Sequence, residues 1–265
     1  MPHFAANLSM MFTDRPFLDR FGAAAQAGFR AVEFLFPYAF DPQEIRARLE
    51  EHALTQALFN LPPGNFDAGE RGLACLPDRV EEFRSGVGKA LEYADALGCS
   101  KLHCMAGLKP SDRPEREAYE TYLGNLAYAA SQCRSAGRML LVEPINARDI
   151  PGYLMNTTTL ARQVIGEVGA DNLKLQLDLY HLQISEGDLA MRIRANADLT
   201  AHVQIAGVPD RNEPDIGEVN YPFLFDVLDE TGFDGLVGCE YRPRGRTEDG
   251  LGWFEQFRAP QTGAS

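Results

Sequence analysis

The chain has 265 residues, and its hydrophobic content of 45% is enough for a sizeable core in one large domain. It carries 25 lysine and arginine residues against 38 acidic residues, and the resulting net charge of −13 makes nucleic acid a poor partner, because an acidic surface repels phosphate groups. No apolar run approaches the roughly 18 residues that a membrane-spanning helix needs, so no membrane span is expected.

Short apolar segments alternate with amphipathic helical patterns from one end of the chain to the other. The segments predicted as strands are residues 3–9, 31–35, 55–60, 101–105, 139–143, 173–178, 201–205 and 236–240. The helical patterns lie between them, at residues 17–27, 42–52, 78–97, 115–136, 158–168, 189–196 and 221–231, and a last aromatic segment follows at 253–257. Asp41 before Pro42 is typical of a helix start, and Gly98 and Gly137 stand where helices are expected to end.

Eight successive strand–helix units in a chain of this length predict a (β/α)8 TIM barrel of the α/β class, formed by residues 1–265 as a single domain. The alternative is an open doubly wound sheet, which needs fewer strands. Its nucleotide-binding forms lose support because no GxGxxG follows the first strand and no GxxxxGK[ST] occurs in the chain. Long connections at 61–77, 106–113, 144–156 and 207–220 all follow strands, which is where a barrel places the loops that build its site.

The fifth to eighth predicted strands each carry an oxygen-bearing side chain at or next to their last residue. These side chains are Glu143, Asp178, Gln204 and Glu240. In a barrel, neighbouring strand ends surround one mouth, so these side chains are expected to meet. Three carboxylates in one pocket repel each other unless they are protonated or neutralised by a cation. An all-oxygen ligand set suits Mg²⁺ or Mn²⁺ better than Zn²⁺, which prefers cysteine or histidine. The pattern therefore predicts a divalent metal site.

Such a site has a chemical use. Four protein ligands leave room in an octahedral shell for two oxygens of a substrate that has adjacent carbonyl and hydroxyl groups. Polarisation by the metal would make the neighbouring C–H acidic and stabilise an enediolate. Glu143 and Glu240 lie on non-adjacent strands, so they could flank the substrate and combine ligand and acid–base roles. Because only one ligand set is found, proton transfer is preferred over a hydride shift that needs two metals.

Several segments resemble one protein family, and together they span most of the chain. They are FNLPPGNFDAGERGLA (59–74), HCMAG (103–107), LLVEPIN (140–146), LQLDLYH (175–181), HVQIAGVPDRNEPDIGEVNY (202–221), GCEYRPRG (238–245) and GLGWF (250–254). The chain resembles the hydroxypyruvate isomerases, which are xylose-isomerase-like TIM barrels, and it is close to the 2-oxo-tetronate isomerases.

This resemblance implies a specific activity. Glu143 and Glu240 would be the proton donor and acceptor, and Glu143, Asp178, Gln204 and Glu240 would hold the metal. The implied reaction interconverts hydroxypyruvate and 2-hydroxy-3-oxopropanoate (tartronate semialdehyde) through a cis-enediolate. Related sugar epimerases have a histidine where this chain has Gln204. Glutamine is also a neutral ligand, but it would coordinate the metal with a different geometry.

Five further residues are predicted to bind the substrate. His181 follows Asp178 by three residues and is expected to hydrogen-bond a substrate oxygen. Arg211 and Arg242 are candidates for binding the carboxylate of a 2-oxo acid, ideally through two parallel hydrogen bonds. Asn7 and Asn60 end the first and third strands and are candidates for substrate hydroxyl groups, although asparagine is also an ordinary turn residue.

Two buried positions are predicted to have a structural role. Glu33 ends the second strand, where an ion pair is a better expectation than a place at the mouth. His202 precedes Gln204 by two residues, so strand alternation puts it on the same inner side but one layer deeper, where it would pack rather than react.

Other activities stay open on the sequence alone. The same site suits a 2-oxo-tetronate isomerase or a ketose 3-epimerase. An abasic-site endonuclease shares the architecture but needs several histidine ligands and a basic groove, and a non-enzymatic barrel would function without its metal. The five cysteines include no CxxC pair and no signal peptide is evident, so we expect reduced, buried thiols in a cytoplasmic protein. The expected partner is a small hydroxy-oxo acid, and the sequence is compatible with a homo-oligomer.

Overall fold

The structure is a computed structural model that describes residues 2–257. Within these residues, eight parallel strands close into a barrel in the order of the chain. The strands are β1 His3–Asn7, β2 Ala31–Glu33, β3 Thr55–Asn60, β4 Lys101–His103, β5 Met139–Val142, β6 Leu173–Asp178, β7 Thr200–Ile205 and β8 Leu236–Cys239. The predicted TIM barrel is therefore confirmed. The ends of the predicted domain, residue 1 and residues 258–265, lie outside the described residues.

Helices cover the outside of the barrel. They are α1 Arg20–Gln26, α2 Pro42–Glu51, α3 Val80–Leu97, α4 Glu115–Ser135, α5 Thr158–Val168, α6 Leu179–Ser185, α7 Leu189–Asn196 and α8 Tyr221–Glu230. Short 3-10 turns at Phe17–Asp19 and Pro77–Arg79 lead into α1 and α3, and a 3-10 segment at Thr247–Phe257 takes the place after β8. No helix in the part of the chain that the structure describes is long and apolar enough to cross a membrane.

One helix was not predicted. Helix α6 begins directly after β6 without any turn residue between them, because Asp178 ends the strand and caps the helix at the same time. Its Oδ1 accepts a hydrogen bond of 2.8 Å from the backbone N–H of Tyr180. The cap satisfies one of the free N–H groups of the first turn and fixes the direction of the Asp178 carboxylate.

Aromatic side chains pack together near the N-terminal end of β1, between the barrel and the last described segment. Phe4 on β1 contacts the rings of Trp253 and Phe254 edge-on at centroid distances of 5.3 and 5.9 Å. Phe254 also stacks on Phe29 at 4.3 Å, with the two ring planes 9° apart. These contacts hold the last described segment, including the predicted aromatic positions, against the barrel wall.

Candidate functional site

A cavity of about 710 Å³ opens at the carboxyl ends of the strands. Its wall includes residues from three of the long connections that follow strands, among them Phe66 and Arg71 after β3, Arg148 after β5 and Arg211 after β7. The position agrees with the expectation that barrel loops after the strands build the site. The cavity is large enough for a small organic substrate.

Glu143 directly follows β5 and reaches the cavity, although only 5% of it is exposed. Its Oε1 atom is buried and has no hydrogen-bond partner among residues 2–257. Burial raises the pKa of this carboxyl well above its usual value, and the nearby charges of Glu240 and Asp178 raise the pKa further. Glu143 is thus a carboxyl group with a free oxygen, in an environment that favours its protonated form.

Asp178 and His181 lie beside Glu143. The Nε2 atom of His181 is 3.6 Å from Oδ2 of Asp178 and 3.9 Å from Oε1 of Glu143. Burial raises the pKa of Asp178 to about 6 and lowers the pKa of His181 well below its usual value. The imidazole is therefore neutral near pH 7.

The hydrogen-bond partner of His181 decides which ring nitrogen carries the proton. Asn146 accepts from the backbone N–H of Asp149 through Oδ1, so its Nδ2 is the group that faces Nδ1 of His181, at 2.6 Å. Nδ1 consequently accepts, and Nε2 carries the hydrogen. That hydrogen is directed to the space beside the two carboxylates, which suits a donor to a substrate oxygen rather than a metal ligand.

Glu240 directly follows β8, is 7% exposed and is paired with an arginine. Nη2 of Arg211 donates to Oε1 of Glu240 at 2.8 Å, and it lies 3.4 Å from Oδ2 of Asp178. Burial raises the pKa of Glu240 to about 8 even though Arg211 lowers it. Arg211 has a positive φ of 58°, and its guanidinium lies 4.9 Å from the ring centroid of Tyr180. The structure therefore brings Arg211 to the predicted ligands.

Gln204 is held by a network below the cavity. Its Nε2 donates to Glu240 Oε2 and, at 2.8 Å, to Glu33 Oε1, while its Oε1 accepts from Gln176 at 2.7 Å. Glu33 also accepts a hydrogen bond of 2.7 Å from Nε2 of His202, so it has a structural partner inside the barrel. His202 is fully buried in the layer below Gln204, as expected from strand alternation. In this arrangement the amide nitrogen of Gln204, and not its oxygen, faces Glu240.

The remaining predicted residues occupy different places. Asn60 lines the cavity, and its Oδ1 is 3.2 Å from Nδ1 of His103. Arg242 also lines the cavity, with an exposed side chain. Asn7 donates to Glu33 at 3.0 Å and accepts from the backbone N–H of Ser9, so both ends of its amide are bonded inside the barrel. We therefore assign Asn7 to the support of Glu33.

Sequence reasoning did not single out Gln176, Tyr180, Arg148 or Asn146 as site residues. Gln176 precedes Asp178 by two residues, and the same alternation that placed His202 below Gln204 would have found it. Arg148, in the loop after β5, donates a hydrogen bond of 3.0 Å to the hydroxyl of Tyr180 on α6. No sequence pattern predicts a contact of this kind.

The residues at the site fit a divalent cation. Three carboxyl groups, from Glu143, Asp178 and Glu240, face one arginine, so the cluster has an excess of potential negative charge. The buried and unpartnered Oε1 of Glu143 is a ligand atom that no protein hydrogen bond engages within the described part of the chain. The carboxylate oxygens of Glu143 and Asp178 lie within 4.8 Å of each other, and His181 is beside them. Carboxylate oxygens are ligands that Mg²⁺ and Mn²⁺ prefer.

Comparison with known proteins gives consistent results over nearly the whole chain. A family model described as "Xylose isomerase-like TIM barrel" matches residues 21–257. The chain is 55% identical to the 2-oxo-tetronate isomerase of Cupriavidus necator, over 97% of this chain and 99% of that protein. It is 46% identical to the hydroxypyruvate isomerase of Escherichia coli, over 97% of this chain and 100% of that protein. A crystal structure from Brucella melitensis named "AP endonuclease, family 2" superposes with a TM-score of 0.96 at 51% identity, covering 98% of this chain and 100% of that one.

Proposed function

The chain belongs to the xylose isomerase-like TIM barrel family, and from this premise we propose that it is an isomerase that interconverts hydroxypyruvate and 2-hydroxy-3-oxopropanoate. The observation that carries the proposal is the pair of buried glutamates at the cavity, Glu143 and Glu240, whose pKa values are both raised by burial. A buried carboxyl group with a raised pKa holds a proton more strongly than an ordinary glutamate, so it can take up a proton from carbon and return it. The two residues therefore suit the transfer of one proton between neighbouring carbon atoms.

The reaction moves a proton from C3 of the substrate to C2, through an enediolate. The hydroxyl hydrogen on O3 is transferred to O2, so the carbonyl group moves from C2 to C3 and no oxidant or reductant is consumed. Glu143 and Glu240 exchange the carbon-bound proton, and the Nε2–H of neutral His181 donates a hydrogen bond to a substrate oxygen. Burial of these groups keeps bulk water away from the enediolate.

A divalent metal, Mg²⁺ or Mn²⁺, would be held by Glu143, Asp178, Glu240 and Gln204, and when bound it would supply a positive charge that stabilises the enediolate. Gln204 would take part through its amide oxygen, which requires the side-chain amide to turn over from the orientation described above.

A second substrate is supported by the same site. The 55% identity to a 2-oxo-tetronate isomerase favours a hydroxy-oxo acid that is one carbon longer, and the cavity of about 710 Å³ has room for it. The same transfer between C2 and C3 applies to both acids. We therefore propose hydroxypyruvate as the first substrate and a 2-oxo-tetronate as the second.

Direct turnover measurements test the proposal. Hydroxypyruvate, a 2-oxo-tetronate and a free ketose are compared with and without Mg²⁺ or Mn²⁺, and we expect the acids to be converted and the metal to be required. Glu143→Gln and Glu240→Gln should each abolish turnover while the circular dichroism spectrum is preserved. Glu115→Gln, a matched substitution on the exposed start of α4, should not. Efficient conversion of the ketose alone would instead indicate a 3-epimerase.

Running the reaction in D₂O tests the proton-transfer step. Solvent deuterium should appear at C2 of the product. Complete retention of the substrate hydrogen would indicate either a hydride shift or a proton relay that is fully shielded from solvent.

Because the similar Brucella structure is named an AP endonuclease, cleavage of DNA is tested as a control reaction. Net charge −13 disfavours approach of DNA, so we expect no cleavage of an abasic-site duplex under the conditions in which the acids are isomerised. Cleavage that Glu143→Gln removes would assign the site to DNA repair.

A further inference from the structure

The segment FNLPPGNFDAGERGLA (59–74) begins at the end of β3 and continues into the loop that follows the strand. It has no role in the mechanism above. After β3 the chain folds back on itself through backbone hydrogen bonds of 3.0 Å from Glu70 to Asn65 and from Gly72 to Pro63. Gly72 has a φ of +111°, and a Cβ atom there would lie 2.4 Å from the carbonyl oxygen of Met105. The loop is thus a fixed structure packed closely against the connection after β4.

This loop holds one arginine at the cavity. Nη1 of Arg71 donates to the carbonyl oxygens of Phe66 and Glu70, at 2.9 and 2.7 Å. Its guanidinium carbon lies 4.0 Å from the centroid of the Phe66 ring, and that ring packs against Phe36 at 5.0 Å. Arg71 is therefore positioned before any ligand binds, which reduces the entropy that a ligand must remove from it.

The other arginines that line the cavity are differently engaged. Arg211 is paired with Glu240 and Asp178, and Arg148 bonds to the Tyr180 hydroxyl and lies 3.6 Å from Asp149.

Arg242 is exposed, so its long side chain is less restrained than that of Arg71. Within residues 2–257, no carboxylate lies within ion-pair distance of the Arg71 guanidinium. Its charge is thus available to an anionic ligand, and the apolar side chains of Phe36, Phe66 and Met105 beside it reduce screening by water.

The barrel topology places Arg71 across the mouth from the reacting groups. In a closed ring of eight strands in chain order, β3 lies opposite β7, and the proposed metal ligands come from β5 to β8. A substrate whose C2 and C3 oxygens bind these ligands would have room for its C1 carboxylate on the opposite side of the cavity. The loop after β3 is the wall on that side.

We propose that Arg71 binds the carboxylate of the substrate and makes the site selective for 2-oxo acids over uncharged ketoses. The inference rests on the proposed function and adds the residue that recognises the substrate class. Arginine suits this role because its planar donor pair matches the two oxygens of a carboxylate.

Arg71→Met tests the inference, because methionine retains the apolar stem and removes the charge. Hydroxypyruvate is compared with dihydroxyacetone, which has the same oxo and hydroxyl groups but no carboxylate. We expect KM for hydroxypyruvate to rise roughly 10- to 100-fold, as loss of a charge-assisted contact implies, with kcat changed much less. The preference for the acid over dihydroxyacetone should fall by a similar factor, and Arg71→Lys should recover part of it.

Two controls accompany the variant. Mn²⁺ affinity, measured by calorimetry without substrate, should be the same in Arg71→Met and the wild type, since a collapsed site would lose it. Arg84→Met removes another arginine that lies over a ring, Tyr128 at 5.0 Å on the outer face, and should leave KM unchanged. An unchanged KM in Arg71→Met, or a rise only in Arg242→Met, would overturn the inference.

The inference and the proposed function can fail separately. If the wild type converts hydroxypyruvate but Arg71→Met does so with the same KM, only the inference fails. If the wild type converts no hydroxy-oxo acid, the proposed function fails. Calorimetric binding of glycerate, which carries the carboxylate and hydroxyls but cannot isomerise, then decides the role of Arg71. Weaker binding in Arg71→Met supports it, and equal binding in both proteins rejects it.

Discussion

The guanidinium of Arg211 lies 2.8 Å from Oε1 of Glu240, so the chain itself places a cation beside one of the predicted metal ligands. One guanidinium is not enough for three carboxyl groups. The remaining charge is avoided by protonation, because burial raises the pKa of Glu143 well above its usual range, that of Glu240 to about 8 and that of Asp178 to about 6. Protons and a divalent cation are therefore expected to compete for the same oxygens.

Metal binding should accordingly release protons. At pH 7 the metal-free Glu240 carboxyl is mostly protonated, since its pKa is about 8, and a bound cation requires the ionised form. Titration of Mn²⁺ in buffers with different ionisation enthalpies measures this release directly. Glu240→Gln should release fewer protons, and equal heats in all buffers would contradict the raised pKa.

The stability of the metal-free protein should fall as pH rises from about 4.5 to about 8. The folded pKa values of Glu143 and Glu240 lie above the ordinary glutamate value, so in this range the folded state holds protons that the unfolded chain has released. Each such group favours unfolding increasingly as pH rises, until pH passes its folded pKa.

Urea unfolding in the presence of a chelator, at several pH values, measures the trend. Comparison with Glu240→Gln isolates the contribution of one site carboxyl from that of surface groups, and the variant should lose less stability over the same range. Mg²⁺ should stabilise the wild type more at pH 8 than at pH 5. A wild type and a variant with parallel pH profiles would argue against this account.

Gly238→Ala should disturb the hydrogen-bond network that supports the site inside the barrel. Gly238 lies on β8, and a Cβ atom there would lie 2.3 Å from Oε2 of Glu33. Displacing Glu33 would release Gln204 and His202, which both bond to it. We expect a loss of about 1–3 kcal/mol in the free energy of unfolding, as for other overpacked interiors, together with weaker Mn²⁺ binding.

Gly124→Ala is the matched control for that substitution. Gly124 lies inside α4, and a Cβ atom there would have no neighbour within 4 Å among residues 2–257, apart from its own helix backbone and chain neighbours. Alanine should therefore be neutral at this position or stabilise the fold by up to about 1 kcal/mol. Denaturant unfolding and calorimetric metal titration of both variants provide the comparison. Normal metal affinity in Gly238→Ala would show that Glu33 does not position Gln204.

Phe254→Ala should destabilise the barrel without altering its site. Phe254 is 3% exposed and stacks on Phe29 at the end of the barrel away from the cavity. Removing a buried aromatic ring of this kind costs about 3–5 kcal/mol. Phe223→Ala, at a ring that is 50% exposed on α8, should cost far less. The free energies of unfolding test the difference, and KM for hydroxypyruvate should be unchanged wherever the variant is folded.

The thiols should be unreactive in the native protein. All five cysteines are free and buried, and burial raises the pKa of Cys75, Cys99 and Cys133 to about 12. A thiol reagent such as dithionitrobenzoate reacts with the thiolate, which is scarce and inaccessible here. We expect labelling of all five only after unfolding, and rapid labelling of the native chain would show that this part of the core opens.

The alternation of short apolar runs with amphipathic segments was sufficient to predict the barrel. Strand β3 and helices α5 and α7 have the predicted bounds, because local patterning and capping residues decide where such elements begin and end. Helix α6 was missed because Asp178 serves two elements at once, and a side-chain cap at a strand end leaves no separate turn in the sequence.

The sequence by itself also determined which acidic side chains share the mouth, since every parallel strand of a barrel points its carboxyl end to the same side. Only the tertiary structure decided how these groups are paired. The contacts of Arg211 with Glu240, of Asn146 with His181 and of Glu33 with His202 join residues that are 29 to 169 positions apart. No local pattern encodes such contacts, because they depend on the closure of the barrel and on the paths of the loops that follow its strands.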